Sequence, residues 1–141
     1  MLIEQTTYDG KPAYTTTLPR TAESARDARG LASSALGLWG LGEIEDPAWL
    51  IITELVSNAV THARRDSIRV TVTREDFLVV RLAVTDLSRT LPAVRQTGGQ
   101  EECGRGLAIV DAMTGGRWGS ILRRWGKTVW AEIDATGKVE T

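Results

Sequence analysis

The sequence predicts an α+β fold, a two-layer sandwich in which a mixed, mainly antiparallel sheet carries its helices on one face. Three observations point there. Residues 21–36 and 46–65 repeat apolar side chains at helical spacing, residues 68–85 read as two strands close enough to form a hairpin, and a second such pair, 118–123 and 128–133, follows a third helical stretch. Strands that arrive in adjacent pairs do not make the alternating βαβ order of a doubly wound sheet. Helices gathered on one side leave room for a site between the layers.

At 141 residues and 42% hydrophobic content the chain has the size and core of one domain, 1–141, with 1–12 and 136–141 expected as flexible tails. A formal charge of -1 offers no basic field for nucleic acid and no acidic tail. Cys103 is the one cysteine, which excludes an internal disulfide and a cysteine-based zinc cluster and fits a reducing compartment. Met1 to Gly10 carries Glu4 and Asp9 without an apolar run, and nowhere do about 18 apolar residues follow one another, as a membrane span requires. The expectation is a soluble, cytoplasmic protein with no membrane partner.

In chain order, Ala13 to Leu18 reads as a threonine-rich strand stopped by Pro19. Thr21 is the expected N-cap of a helix on which Ala22, Ala25, Ala28, Leu31, Ala32, Ala35 and Leu36 recur, ended by Gly37, Gly40 and Gly42. Trp39 and Leu41, in the glycine-rich loop, are expected to pack back on the domain. Asp46 then caps a second helix with Pro47 at its first position, running to Arg64 or Arg65. Ile68, Val70 and Val72 alternate with Arg69, Thr71 and Thr73 in a strand with one wet face. Arg74-Glu75-Asp76 makes the turn into a more apolar strand, Phe77 to Thr85. A polar connection from Leu87 to Cys103, with Gly98-Gly99, is long enough to be a lid. A helix from Leu107 to Met113, closed by Gly115-Gly116, and a hairpin turned at Arg124 to Lys127 complete the order.

The second helix holds the most informative segment, Glu54-Leu-Val-Ser-Asn58-Ala-Val-Thr-His62. Glu54, Asn58 and His62 share one face, and Trp49, Ile52, Val56, Ala59, Val60 and Ala63 are expected on the other. A carboxylate and a carboxamide one turn apart can set a base beside an oxygen ligand for a hard cation. Asp86, where the strand pattern dissolves, is either a turn former or an acceptor for an amine. Gly104-Arg105-Gly106, at a helix start, either makes a junction or lets amides approach an anion. His62, the one histidine, reads first as a hydrogen-bonded helix residue. Two motifs are decoys. Gly126-Lys127-Thr128 imitates the end of a P-loop, yet Ile121 stands where its first glycine belongs, and Ile109 likewise breaks a dinucleotide-binding fingerprint at Gly104-x-Gly106.

Together these residues resemble the Bergerat-type ATP-binding fold of histidine kinases, type II topoisomerases, mismatch-repair ATPases and heat-shock chaperone ATPases, and within it the small anti-sigma factor serine/threonine kinases, particularly actinobacterial ones. The resemblance covers Tyr14 to Ile133. It rests on the Glu54–His62 segment, Asp86, Gly104-Arg105-Gly106-Leu107 and Gly126-Lys127-Thr128, in that order. It implies ATP and Mg2+ as cofactors. Asn58 would ligate the metal, His62 would lie beside it in the same nucleotide-binding box, and Asp86 would bind the adenine amine. Thr128 would support Asp86 or a water near the base, and the amides of Gly104, Arg105, Gly106 and Leu107 would wrap the phosphates. Glu54 would be the general base toward a serine or threonine hydroxyl.

The implied partners are a sigma factor and an anti-anti-sigma protein, with no direct nucleic-acid contact, and the implied assembly is a homodimer through apolar residues such as Leu31 or Leu38. The second motif reads Asp86-Leu87-Ser88-Arg89-Thr90, where the wider superfamily has Asp-x-Gly-x-Gly, so its loop must turn differently. That departure motivates an alternative, an ATP-binding regulatory module without phosphotransfer. A two-component histidine kinase would need a separate dimerisation helix pair and a second histidine.

Overall fold

Ile68, Val70 and Val72 do alternate with wetter neighbours, and the three are fully buried under helices. They belong to a six-stranded sheet of order β1-β2-β3-β4-β6-β5 in the computed structural model, which describes residues 2–62, 66–86, 104–124 and 126–136, with 104–106 and 123 described through their backbone alone. The strands are β1 (Gln5–Thr6), β2 (Pro12–Pro19), β3 (Ser67–Asp76), β4 (Val79–Asp86), β5 (Trp118–Arg123) and β6 (Gly126–Asp134). The helices are α1 (Ser24–Leu38), α2 (Glu45–His62) and α3 (Gly104–Thr114). All five strand pairings are antiparallel, so the sheet is uniform where a mixed one was expected. The α+β class itself stands.

The core lies between sheet and helices because each strand turns every second residue inward. Tyr14, Ile68, Val70, Val72, Val80, Leu82, Val84, Val129, Ala131 and Ile133 meet Ala28, Leu36, Ile51, Ile52, Leu55 and Val56 in one buried cluster. Both α1 and α2 cross this face and pack on each other, and α3 packs on α2 and β6. Leu41 is buried in the same cluster, and Trp39 reaches back to tilt against Tyr14 at 5.5 Å, as the sequence led us to expect.

Several boundaries differ from expectation. Thr21 does not cap α1: the helix starts at Ser24 after Glu23, and Ser24 Oγ donates to the carbonyl of Pro19 instead. Because the Thr21 and Ser24 backbones already form a turn, the cap position moves inward. Asp46 and Pro47 do not open α2 either. A short 3-10 turn, Gly42–Ile44, feeds the helix directly at Glu45 and buries Ile44, leaving Pro47 still within the first turn where its missing N–H costs nothing. The β3–β4 turn is Phe77-Leu78, because β3 runs on to Asp76 through a register shift at Arg74/Asp76. The expected leader tail holds β1, paired with β2 at Gln5 and Thr6 and continued by Lys11, whose ammonium lies 2.8 Å from Glu75 and is thereby held above its ordinary pKa.

Trp49, expected in the core, is 42% exposed and packs beneath the Arg29 guanidinium instead. Leu31, expected as interface, is buried, whereas Leu38 is exposed. The expectations for Ala63, Arg64 and Arg65, for the connection Leu87 to Cys103, for the Arg105 side chain and for the tail beyond residue 136 lie outside the described residues. Among the described residues no helix is long and apolar enough to cross a membrane.

Candidate functional site

In β4 the inward series is Val80, Leu82, Val84 and then Asp86, which is only 6% exposed. A carboxylate thus occupies the next place in a row of core hydrophobes, where an ionised group is costly unless something bonds it. On α2 the core stripe of Ile51 and Leu55 continues to Asn58, one turn before His62. Asn58 is 9% exposed, and its Oδ1 is buried with no hydrogen-bond partner among the described residues. An unmade bond of that kind costs about 1–3 kcal/mol. Both layers therefore exchange hydrocarbon for polar groups at the same end.

Between those ends lies a small recess, partly open to solvent and lined by Leu55, Asn58, Ala59, His62, Val84, Asp86, Lys127 and Val129. Register explains the lining: Val84 stands opposite Val129 on β6, and Asp86 stands opposite Lys127. The two valines and, from α2, Leu55 and Ala59 give an apolar slot; Asn58, His62, Asp86 and Lys127 give its polar end. Arg20 helps fix the helix there by donating to the carbonyl of Val60 at 3.0 Å.

The structure thus brings Asn58, His62 and Asp86 together, and adds Lys127, which sequence reasoning did not single out. No motif announced it: its inward face follows from standing opposite Asp86 in the β4–β6 ladder. Thr128 does not line the recess. Its Oγ1 lies 2.9 Å from Thr85 Oγ1, on the sheet face away from the helices, with both threonines buried. Glu54 sits one turn before Asn58, half-buried and outside the lining. Gly104, Arg105, Gly106 and Leu107 form the first turn of α3, whose leading amides lack intrahelical acceptors, and Leu107 packs partly buried on the core.

An apolar lining that ends in an acceptor-only carboxylate matches the chemistry of an aromatic heterocycle that carries an amine. Asn58 Oδ1, buried and unbonded, is suited as one oxygen ligand of a hard cation such as Mg2+, an ion that keeps most of its shell from water and phosphate. No cluster of three or more His, Cys, Asp or Glu side chains occurs among the described residues, so a self-sufficient protein cage for a metal is not what this recess offers. The donors present fit a cation brought with a phosphorylated ligand.

Compared with known protein families, residues 43–137 match the histidine kinase-, DNA gyrase B-, and HSP90-like ATPases, a span of well over half the chain that takes in α2, β4, α3, β6 and every residue of the recess. No individual curated protein matches the chain.

Proposed function

The chain belongs to the family of histidine kinase-, DNA gyrase B- and HSP90-like ATPases, and from that premise we propose that it is an Mg-ATP-dependent serine/threonine protein kinase that also holds a sigma factor. Its phosphate acceptor would be an anti-anti-sigma protein. The observation that carries the ATP site is the pairing of two out-of-pattern polar groups, Asn58 on α2 and Asp86 on β4, across one apolar recess. The kinase assignment is supported by Glu54, a carboxylate one helical turn from Asn58, which a site that only binds nucleotide does not require.

The residues divide the work as follows. Val84 and Val129 below and Leu55 and Ala59 above hold the purine, and Asp86 accepts from its exocyclic amine. Amides at the start of α3, Gly104 to Leu107, attract the phosphate chain. Asn58 would hold Mg2+, which when bound neutralises charge on the phosphates. Glu54 takes the proton of the acceptor hydroxyl as its oxygen bonds to the γ-phosphorus and ADP leaves with the bridging oxygen.

Purified protein, radiolabelled ATP and candidate anti-anti-sigma proteins test the proposal directly. Transfer to a serine or threonine that disappears in Glu54→Gln, with nucleotide binding kept, is the expected result. Nucleotide binding without any phosphoprotein would replace it with the alternative, a regulatory module that ATP switches and that transfers nothing. That alternative is favoured by Asp86-Leu87-Ser88-Arg89-Thr90, in which no glycine follows the aspartate, and by the position of Glu54 outside the recess lining.

A further inference from the structure

Lys127 is a recess residue to which the ATPase site described above assigns no task. It stands directly opposite Asp86 in the β4–β6 ladder, two residues from Val129 and on the same face, so its stem starts about 5 Å from that of Asp86. Although the two line one recess, the Lys127 ammonium makes no ion pair or hydrogen bond with any described residue. The slot therefore ends in two unlike groups side by side: a carboxylate that only accepts and an ammonium that only donates.

We propose that Lys127 reads the base jointly with Asp86, donating to the ring nitrogen next to the amine that Asp86 accepts. This rests on ATP being the ligand, as proposed above. Along the six-membered edge of adenine an amine donor sits beside a ring-nitrogen acceptor, the complement of acceptor beside donor in the recess. Guanine presents the reverse order, an oxygen beside an N–H, so in the same pose its oxygen meets Asp86 and its N–H meets Lys127. Like would face like at both positions, which makes Lys127 a specificity-determining residue and not only a source of affinity.

The test uses the full chain and titrates ATP, 1-deaza-adenosine triphosphate (ring nitrogen replaced by C–H) and GTP into wild type, Lys127→Met and Asp86→Asn by calorimetry. Wild type should bind the deaza analogue about tenfold or more weaker than ATP, the loss of one charge-assisted hydrogen bond. Lys127→Met should bind ATP and the analogue equally and discriminate less against GTP. The analogue arm needs no variant, so a misfolded Lys127→Met does not remove the test. Equal binding of ATP and analogue by wild type would overturn the role of Lys127 while ATP binding that Asp86→Asn abolishes leaves the site intact. Failure of wild type to bind ATP at all would overturn the nucleotide site and the role of Lys127 together.

Discussion

Asn58 is an expensive residue for the empty fold. Its Oδ1 is buried without a described partner, asparagine is a poorer helix former than alanine, and it sits among Leu55, Ala59 and Val84. Asn58→Ala should therefore leave stability unchanged or raise it by about 0.5–1 kcal/mol, read as a shift of the denaturation midpoint at constant slope. The same variant should lose measurable Mg-ATP binding. A residue kept for packing would show the opposite pair of signs. Glu54 makes a different expectation, because it stands outside the recess lining. Glu54→Gln should keep nucleotide affinity within about twofold while phosphoryl transfer falls by about 100-fold or more, the usual contribution of a positioned base.

At the scale of elements, the β5–β6 hairpin is held by a contact invisible in local sequence. Gly119 pairs with Trp130, and a Cβ at Gly119 would meet the indole at 3.1 Å; the Arg81 guanidinium lies over that same ring, 4.2 Å from its centroid, and is itself bonded to Glu132 at 2.7 Å. Gly119→Val should thus cost about 1–3 kcal/mol by overpacking. In a Trp130→Ala background the same change should be close to neutral, and a double-mutant cycle in denaturant measures the difference. Nothing local to Gly119 announced this, since the partner lies eleven residues away across a register that only the folded sheet sets. What could be read was what depends on periodicity: the alternation in β3, the apolar rows of α1 and α2, and the glycines that close α3 with φ of 64° and 87°. Element ends were less legible because they depend on competing local bonds, as Ser24 to Pro19 shows. In the sequence Asn58 stands out by its place beside Glu54 on the helix face opposite the expected core, and Asp86 by its place at the end of a strand pattern; both line the recess, but Asn58 does so from the core row of Ile51 and Leu55. The site was not legible at Lys127, whose inward face follows from pairing with Asp86 and not from any motif.

For the molecule as a whole, the recess joins the two layers, so its ligand should stabilise the whole fold and not one element. Leu55, Asn58, Ala59 and His62 come from α2, Val84 and Asp86 from β4, and Lys127 and Val129 from β6, each anchored in the same core cluster through neighbours such as Val56, Leu82 and Ala131. Opening either layer destroys the recess, so nucleotide binds the folded state alone and adds about 2.7 kcal/mol at a hundredfold excess over its Kd. For a chain of 141 residues that gain is a rise of roughly 8–10 °C in Tm. We expect a thermal melt to show this rise with Mg-ATP, growing with the logarithm of nucleotide concentration, and to show none of it in Asp86→Asn. Chelating Mg2+ with EDTA should remove most of the gain in wild type if, as proposed, Asn58 Oδ1 ligates the cation that comes with the phosphates. A melt that rises equally with ATP and with inorganic triphosphate would assign the stabilisation to the α3 amides, leaving the slot above Val84 and Val129 without its purine.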